Sequence, residues 1–115
     1  MIELRRTIRY PFVASAEIID DKSGTHLSTR VTELSLFGCY FGTVSPLPAE
    51  TEVQVKIVSG LVFFEAFGTV VYSQANLGMG VVFRDVHPYF LNILHGWLWE
   101  AEQARQKASG RSVQT

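Results

Sequence analysis

A small antiparallel β-barrel followed by one C-terminal helix is the fold class that the sequence predicts. Three observations lead there. From Phe12 onward, short runs alternate apolar and polar residues with a period of two and are separated by turn-forming residues. Leu61 to Ser73 is a longer run rich in β-branched and aromatic side chains. After Asp85 the apolar period changes to three and four residues, the spacing of a helix. With 115 residues there is room for one hydrophobic core and not for a second.

The elements follow in order. Residues 1–11 form a basic arm carrying Arg5, Arg6 and Arg9, and Pro11 biases Tyr10 toward an extended conformation. In an extended arm Arg5 and Arg9 share one side and Arg6 takes the other. Phe12, Ala14, Ala16 and Ile18 alternate with Val13, Ser15, Glu17 and Ile19 as the first strand, which Asp20 to Gly24 turns. Leu27, Thr29 and Val31 mark the antiparallel return. It runs into Glu33-Leu34-Ser35-Leu36-Phe37-Gly38 and then the short apolar run Cys39-Tyr40-Phe41. Pro46 and Pro48 interrupt the chain. Val53, Val55 and Ile57 form a further strand turned at Ser59-Gly60, and the Leu61–Ser73 run has Gly68 as a bulge or bend. Gly78-Met79-Gly80 leads into Val81-Val82-Phe83, the sixth strand. The helix opens around Pro88, presents Phe90, Leu94, Trp97, Ala101 and Ala104 on one face, and stops before Gly110. Residues 12–108 thus make up the barrel and helix, and residues 109–115 a polar tail.

Composition narrows the function. The apolar fraction is 47%, the charged fraction 18% and the formal charge −1, which excludes a disordered chain and provides no global field for nucleic acid. Positive residues concentrate in the arm and are not interleaved along the strands, and Tyr40, Phe41, Phe63, Phe64 and Phe67 read as barrel packing. No DNA or RNA binding is therefore expected. One cysteine precludes an internal disulfide framework, and Cys39 is expected as a buried small hydrophobe. The opening residues lack an apolar signal core and no run reaches the length of a membrane span, so a soluble cytoplasmic domain is the expectation.

Enzymatic signals are sparse. His26, His87 and His95 lack metal-ligand spacing, and no general base is evident near Ser35, so no metal, no cofactor and no catalytic residue are expected. An anion-binding signal is present. Three guanidinium groups within five residues suit a ligand that combines phosphate with a planar base, because arginine grips phosphate through paired hydrogen bonds and stacks on flat rings. In the segment Glu33–Gly38, Leu34, Leu36 and Phe37 are expected to anchor a loop in which Ser35 offers a hydroxyl and Glu33 a carboxylate. From composition alone, a solubilising terminus also accounts for the arm, and a plain strand connection for the loop.

Together these residues resemble a PilZ domain. Arg5-Arg6-Thr7-Ile8-Arg9 matches that family's Arg-x-x-x-Arg arm. Glu33-Leu34-Ser35-Leu36-Phe37-Gly38 matches its Asp/Asn-x-Ser-x-x-Gly segment at serine and glycine, and Gly78-Met79-Gly80-Val81 through Phe83 matches a later Gly-x-Gly strand. It departs at Glu33, where the family has aspartate or asparagine. The resemblance spans about residues 3 to 105. It implies a six-stranded antiparallel barrel with a C-terminal helix, and a bacterial, non-enzymatic receptor for cyclic dimeric GMP, held as one molecule or an intercalated pair. By the same resemblance Arg5, Arg6, Arg9, Glu33, Ser35 and Gly38 would form the ligand site: arginines on phosphates or guanine, Ser35 on a nearby polar group, Glu33 on guanine N–H groups or on an arginine. Occupancy would be relayed to an unidentified protein effector. The alternative is a PilZ-like interaction adaptor with weak or no ligand binding. Leu91, Trp97, Leu98 and Trp99 spread too widely around the helix for a single buried stripe, and they are the candidate surface for a homodimer or a protein partner.

Overall fold

The computed structural model describes residues 7–113, with side chains described as far as Ala108. Arg5 and Arg6 lie outside the described residues. Six strands are present: β1 (Tyr10–Asp20), β2 (His26–Leu34), β3 (Gly38–Gly42), β4 (Glu52–Ser59), β5 (Val62–Gln74) and β6 (Gly78–Asp85). They pair antiparallel in the closed order β1-β2-β3-β6-β5-β4, and β1 completes the ring against β4 from Ser15↔Val58 to Asp20↔Val53. Closure leaves no free sheet edge to template pairing with another chain. The helix α1 (Pro88–Val113) follows.

The alternation seen in the sequence sorts the side chains. Ala14, Ala16 and Ile18 of β1, Val53, Val55 and Ile57 of β4, and Phe64 and Ala66 of β5 all point into the core. Register shifts then change the phase. One lies between Val31 and Glu33 in β2, so Val31 and Leu34 are both buried while Glu33 between them faces out. Others fall in β5, at Phe67/Gly68 and at Val70/Tyr72. The first is the irregularity expected at Gly68; the second turns Val71 and Tyr72 outward after buried Val70.

Helix α1 packs over the barrel end where β1 and β5 begin. Leu94 is fully buried there, and Trp97 sits 5.1 Å from the Phe12 ring and 6.3 Å from Phe64. Phe90 adds an edge-on contact with Phe64. Trp97, expected on a partner-facing surface, is therefore a core residue: the barrel mouth offers its ring two aromatic neighbours that solvent does not. Leu91 and Leu98 are half-buried against the same core, which leaves Trp99, 65% exposed, as the outward member of that set. The predicted apolar face holds through Ala101, but Ala104 is exposed, as is every side chain from Gln103 to Ala108. The helix also continues through Gly110 to Val113 rather than stopping before it. A glycine costs a helix about 1 kcal/mol relative to alanine, a weak terminator when no proline or polar cap accompanies it.

At the same barrel end, the Tyr10 hydroxyl donates to the Glu102 carboxylate (2.5 Å), and Arg105 pairs with that carboxylate at 3.0 Å. This latch joins the first residue of β1 to the helix. Among the described residues, no helix is long and apolar enough to cross a membrane.

Candidate functional site

The stem of the arm enters the barrel beside the loop that carries the serine. Register dictates this, because Tyr10 pairs with Leu34 and Pro11 with Glu33 at the β1–β2 junction, so Thr7 to Arg9 run past the start of the β2–β3 loop. The Arg9 guanidinium lies 3.9 Å from the Glu33 carboxylate. Thr7, Arg9, Glu33, Ser35 and Gly38 all border one cleft of about 360 Å³, which continues over β3, β6 and β5 to Tyr40, Gly80, Val82 and Tyr72. Of the six residues predicted for the site, the structure gathers Arg9, Glu33, Ser35 and Gly38; the other two, Arg5 and Arg6, precede the described chain.

Each of the four has a distinct situation. Arg9 and Glu33 are 66% and 48% exposed, and at 3.9 Å their pairing is a loose contact in high dielectric, worth about 0–1 kcal/mol. Either group can turn to a ligand at little cost. Ser35, by contrast, is buried and engaged. Its hydroxyl donates to the Gly38 carbonyl (3.2 Å) and accepts from the Phe37 N–H (3.3 Å), while its own N–H donates to the same carbonyl (2.9 Å). The side chain thereby ties the loop into a tight turn, with its one proton used internally. Gly38 is fixed by close approach: a Cβ there would lie 2.2 Å from the Val81 carbonyl oxygen.

The loop departs from expectation at two positions. Leu34 anchors it, 1% exposed, but Leu36 and Phe37 stand 39% and 53% exposed. The Ser35 turn reverses the chain so sharply that the following two side chains leave the barrel. Cys39 is half-buried on the wall of the cleft, and burial pushes its thiol pKa upward, which disfavours the thiolate. No group of three or more His, Cys, Asp or Glu side chains is placed to hold a metal ion among the described residues.

Residue-by-residue reading missed one wall of the cleft. Tyr40 of β3 and Tyr72 of β5 both pair across to Gly80 of the intervening β6, and their rings meet above it with centroids 6.0 Å apart. A Cβ on Gly80 would come within 2.5 Å of the Tyr72 ring, and one on Gly78 within 2.8 Å of the Tyr40 ring. The two outward glycines of Gly78-Met79-Gly80 thus form a trough that the tyrosines roof. A signal existed in the sequence: counting by twos from an inward Met79 puts both glycines on the outer face, where absent side chains leave space for a neighbour.

No protein-family model matches the sequence, and no curated protein matches it. Solved structures do match. The chain superposes on the PilZ domain of CeSA from a cellulose-synthesizing bacterium with a TM-score of 0.64 and 13% identity, over 83% of this chain and 98% of that one. It superposes on Escherichia coli YcgR, solved in complex with c-di-GMP, with a TM-score of 0.71 and 20% identity, over 92% of this chain. The fold is that of a PilZ domain. The match to YcgR spans half of that longer chain, so this PilZ fold corresponds to one part of it.

Proposed function

We propose that this PilZ fold is a non-enzymatic receptor domain for cyclic dimeric GMP, which binds in the Arg9–Glu33 cleft as the arginine arm closes over it. The observation that carries this reading is the meeting of the arm stem and the serine loop around one cleft, with Arg9 3.9 Å from Glu33. A structural neighbour solved with c-di-GMP supports it. The ligand offers two phosphates and two flat purines. A cleft of about 360 Å³ lies within the range of ligand sites, which run from roughly 300 to 1,000 Å³.

In this reading Arg9, with Arg5 and Arg6 further along the arm, grips phosphate oxygens or stacks on guanine. Freed from Arg9, the Glu33 carboxylate accepts from the guanine N–H groups. Its extra methylene relative to aspartate lengthens the reach by about one bond, roughly 1.5 Å. Ser35 and Gly38 act mainly by holding the loop in shape, since the hydroxyl proton is already used within it. Binding makes and breaks no covalent bond, and the output is arm closure, relayed to a protein partner through the barrel end where Tyr10 meets α1.

Calorimetric titration with cyclic dimeric GMP tests the proposal. Saturable binding that Arg9→Ala weakens at least about tenfold, with an unchanged circular dichroism spectrum, is expected for a charge-assisted phosphate contact. Absence of heat up to high micromolar ligand would replace the receptor with a ligand-independent adaptor.

A further inference from the structure

We infer that a groove on the outer face of β1, β4 and β5, beside the start of α1, docks an extended segment of a partner protein. That segment carries an arginine or lysine next to an aromatic or branched aliphatic side chain. The groove encloses about 460 Å³ and shares no lining residue with the Arg9–Glu33 cleft. Strand register builds its floor from two rungs. In one, Ile19, Gln54 and Phe67 stand side by side; in the other, Glu17, Lys56 and Glu65 do. Asp85 of β6 lies opposite Phe67, and Val86 and Phe90 wall the far side. Phe67, which from its place in the sequence reads as barrel packing, points outward here and is 49% exposed.

Charge selects the occupant. Lys56 is paired with Glu17 on one side and Glu65 on the other, yet its ammonium lies 4.7 Å from the centre of the Phe63 ring, one rung further along. Among the described residues, neither carboxylate forms an ion pair. Their backbones are two interstrand spacings apart, roughly 10 Å, and the position between them is left to an incoming cation. With Asp85, three carboxylates border the groove against the one ammonium. His87 is turned to the helix, where its Nδ1 accepts from the Tyr89 N–H (3.1 Å). This negative surplus turns away nucleic acid and anionic lipid. A second copy meeting the domain groove to groove would oppose like charges. A partner segment with an apolar side chain on Phe67 and a cation between Glu17 and Glu65 satisfies both rungs, an anchor within a charged rim. The same helix reaches the arm: Phe90 of α1 walls the groove, and Glu102 of α1 accepts from Tyr10 at the head of β1.

Short random peptides displayed on phage and selected on the whole chain provide the probe. The enriched sequences are then synthesised and titrated by fluorescence anisotropy into wild type, Phe67→Ala, the double variant Glu17→Gln/Glu65→Gln, and Arg9→Ala. Expected is enrichment of arginine or lysine beside an aromatic or branched aliphatic residue. Affinity for those peptides should fall at least about fivefold in Phe67→Ala, the loss that marks an interface anchor. In wild type it should also fall as ionic strength rises, and the double variant should bind more weakly with much of that salt dependence gone. The double variant removes charge and no apolar packing, so it decides the matter even if Phe67→Ala fails to fold. Arg9→Ala should bind the peptides like wild type. No enrichment, enrichment of acidic or uncharged sequences, or binding that only Arg9→Ala weakens would overturn the docking site. So would a two-chain mass by light scattering that Phe67→Ala reduces to one, which would give the groove to a second copy. Cyclic dimeric GMP should bind Phe67→Ala as it binds wild type, and a wild type that binds no nucleotide would sink the receptor reading while leaving the peptide result unchanged.

Discussion

Replacing Gly38 with alanine should destabilise the barrel severely, and the size of the loss can be worked from the strand geometry. The new Cβ would lie 2.2 Å from the Val81 carbonyl oxygen. A carbon–oxygen contact between strands ordinarily sits near 3.3–3.6 Å, so β3 and β6 must part by roughly 1.1 Å at this point. That movement strains the Gly38↔Val82 pairing and two neighbouring backbone bonds: the 2.8 Å bond from the Phe83 N–H to the Phe37 carbonyl, and the 2.9 Å bond from the Ser35 N–H to the Gly38 carbonyl. Losing much of both bonds costs about 1 kcal/mol each, and overpacking adds about 1–3 kcal/mol, for a total of about 3–5 kcal/mol. For a domain of this size that lowers Tm by at least about 12 °C. Thermal unfolding followed by far-UV circular dichroism measures it directly. A Gly38→Ala protein melting within about 3 °C of wild type would refute the close-approach account and return this glycine to a purely ligand-facing role.

Two further outcomes follow from the barrel end. Leu94→Ala opens a cavity beneath the helix where the side chain is now fully buried, and should cost about 2–5 kcal/mol, read in urea as a lower midpoint with an unchanged slope. The Tyr10–Glu102–Arg105 latch should be pH-dependent. Hydrogen bonds, first from Arg105 and then from Tyr10, hold the Glu102 carboxyl at about 2, below its ordinary 4.5, so its contribution is present above pH 4.5 and fades as pH falls toward 2. Tyr10 is raised above its ordinary 10.0, chiefly by its bond to Glu102, so its contribution is present below pH 10 and fades above it. The Tm difference between wild type and Glu102→Ala should therefore be largest in the neutral range and close up at both extremes. A difference independent of pH would argue against the latch.

Much of the architecture could be read from residue order because burial in a closed barrel imposes strict alternation, as β4 shows with Val53, Val55 and Ile57 inward. The helix was equally plain in its first half, where Phe90, Leu94 and Trp97 recur at the spacing that meets one surface. What alternation could not show were its interruptions. The irregularities at Val31/Glu33 and Val70/Tyr72 flip the phase locally, and they put Glu33 and Tyr72 on the outer surface of the cleft. Nor did composition separate Trp97 from Trp99, two residues apart yet 9% and 65% exposed, since their fates depend on where the helix crosses the barrel mouth. For the site, the resemblance supplied four residues that the fold draws together: Arg9, Glu33, Ser35 and Gly38. It did not supply the tyrosines, which belong to no short motif and become neighbours only because β6 lies between β3 and β5. The burial of Ser35 also changes what a motif serine means: its hydrogen bonds are spent on the turn that presents its neighbours.

The most direct measurement is a titration of isotopically labelled protein with cyclic dimeric GMP, following backbone amide resonances. Saturable shifts concentrated at Thr7 and Arg9, at Glu33 to Gly38 and at Tyr72 and Gly80 are predicted, with the strand faces of β1 and β4 left quiet. Shifts clustered away from the Arg9–Glu33 cleft, or none at millimolar ligand, would contradict the placement of the second messenger in it.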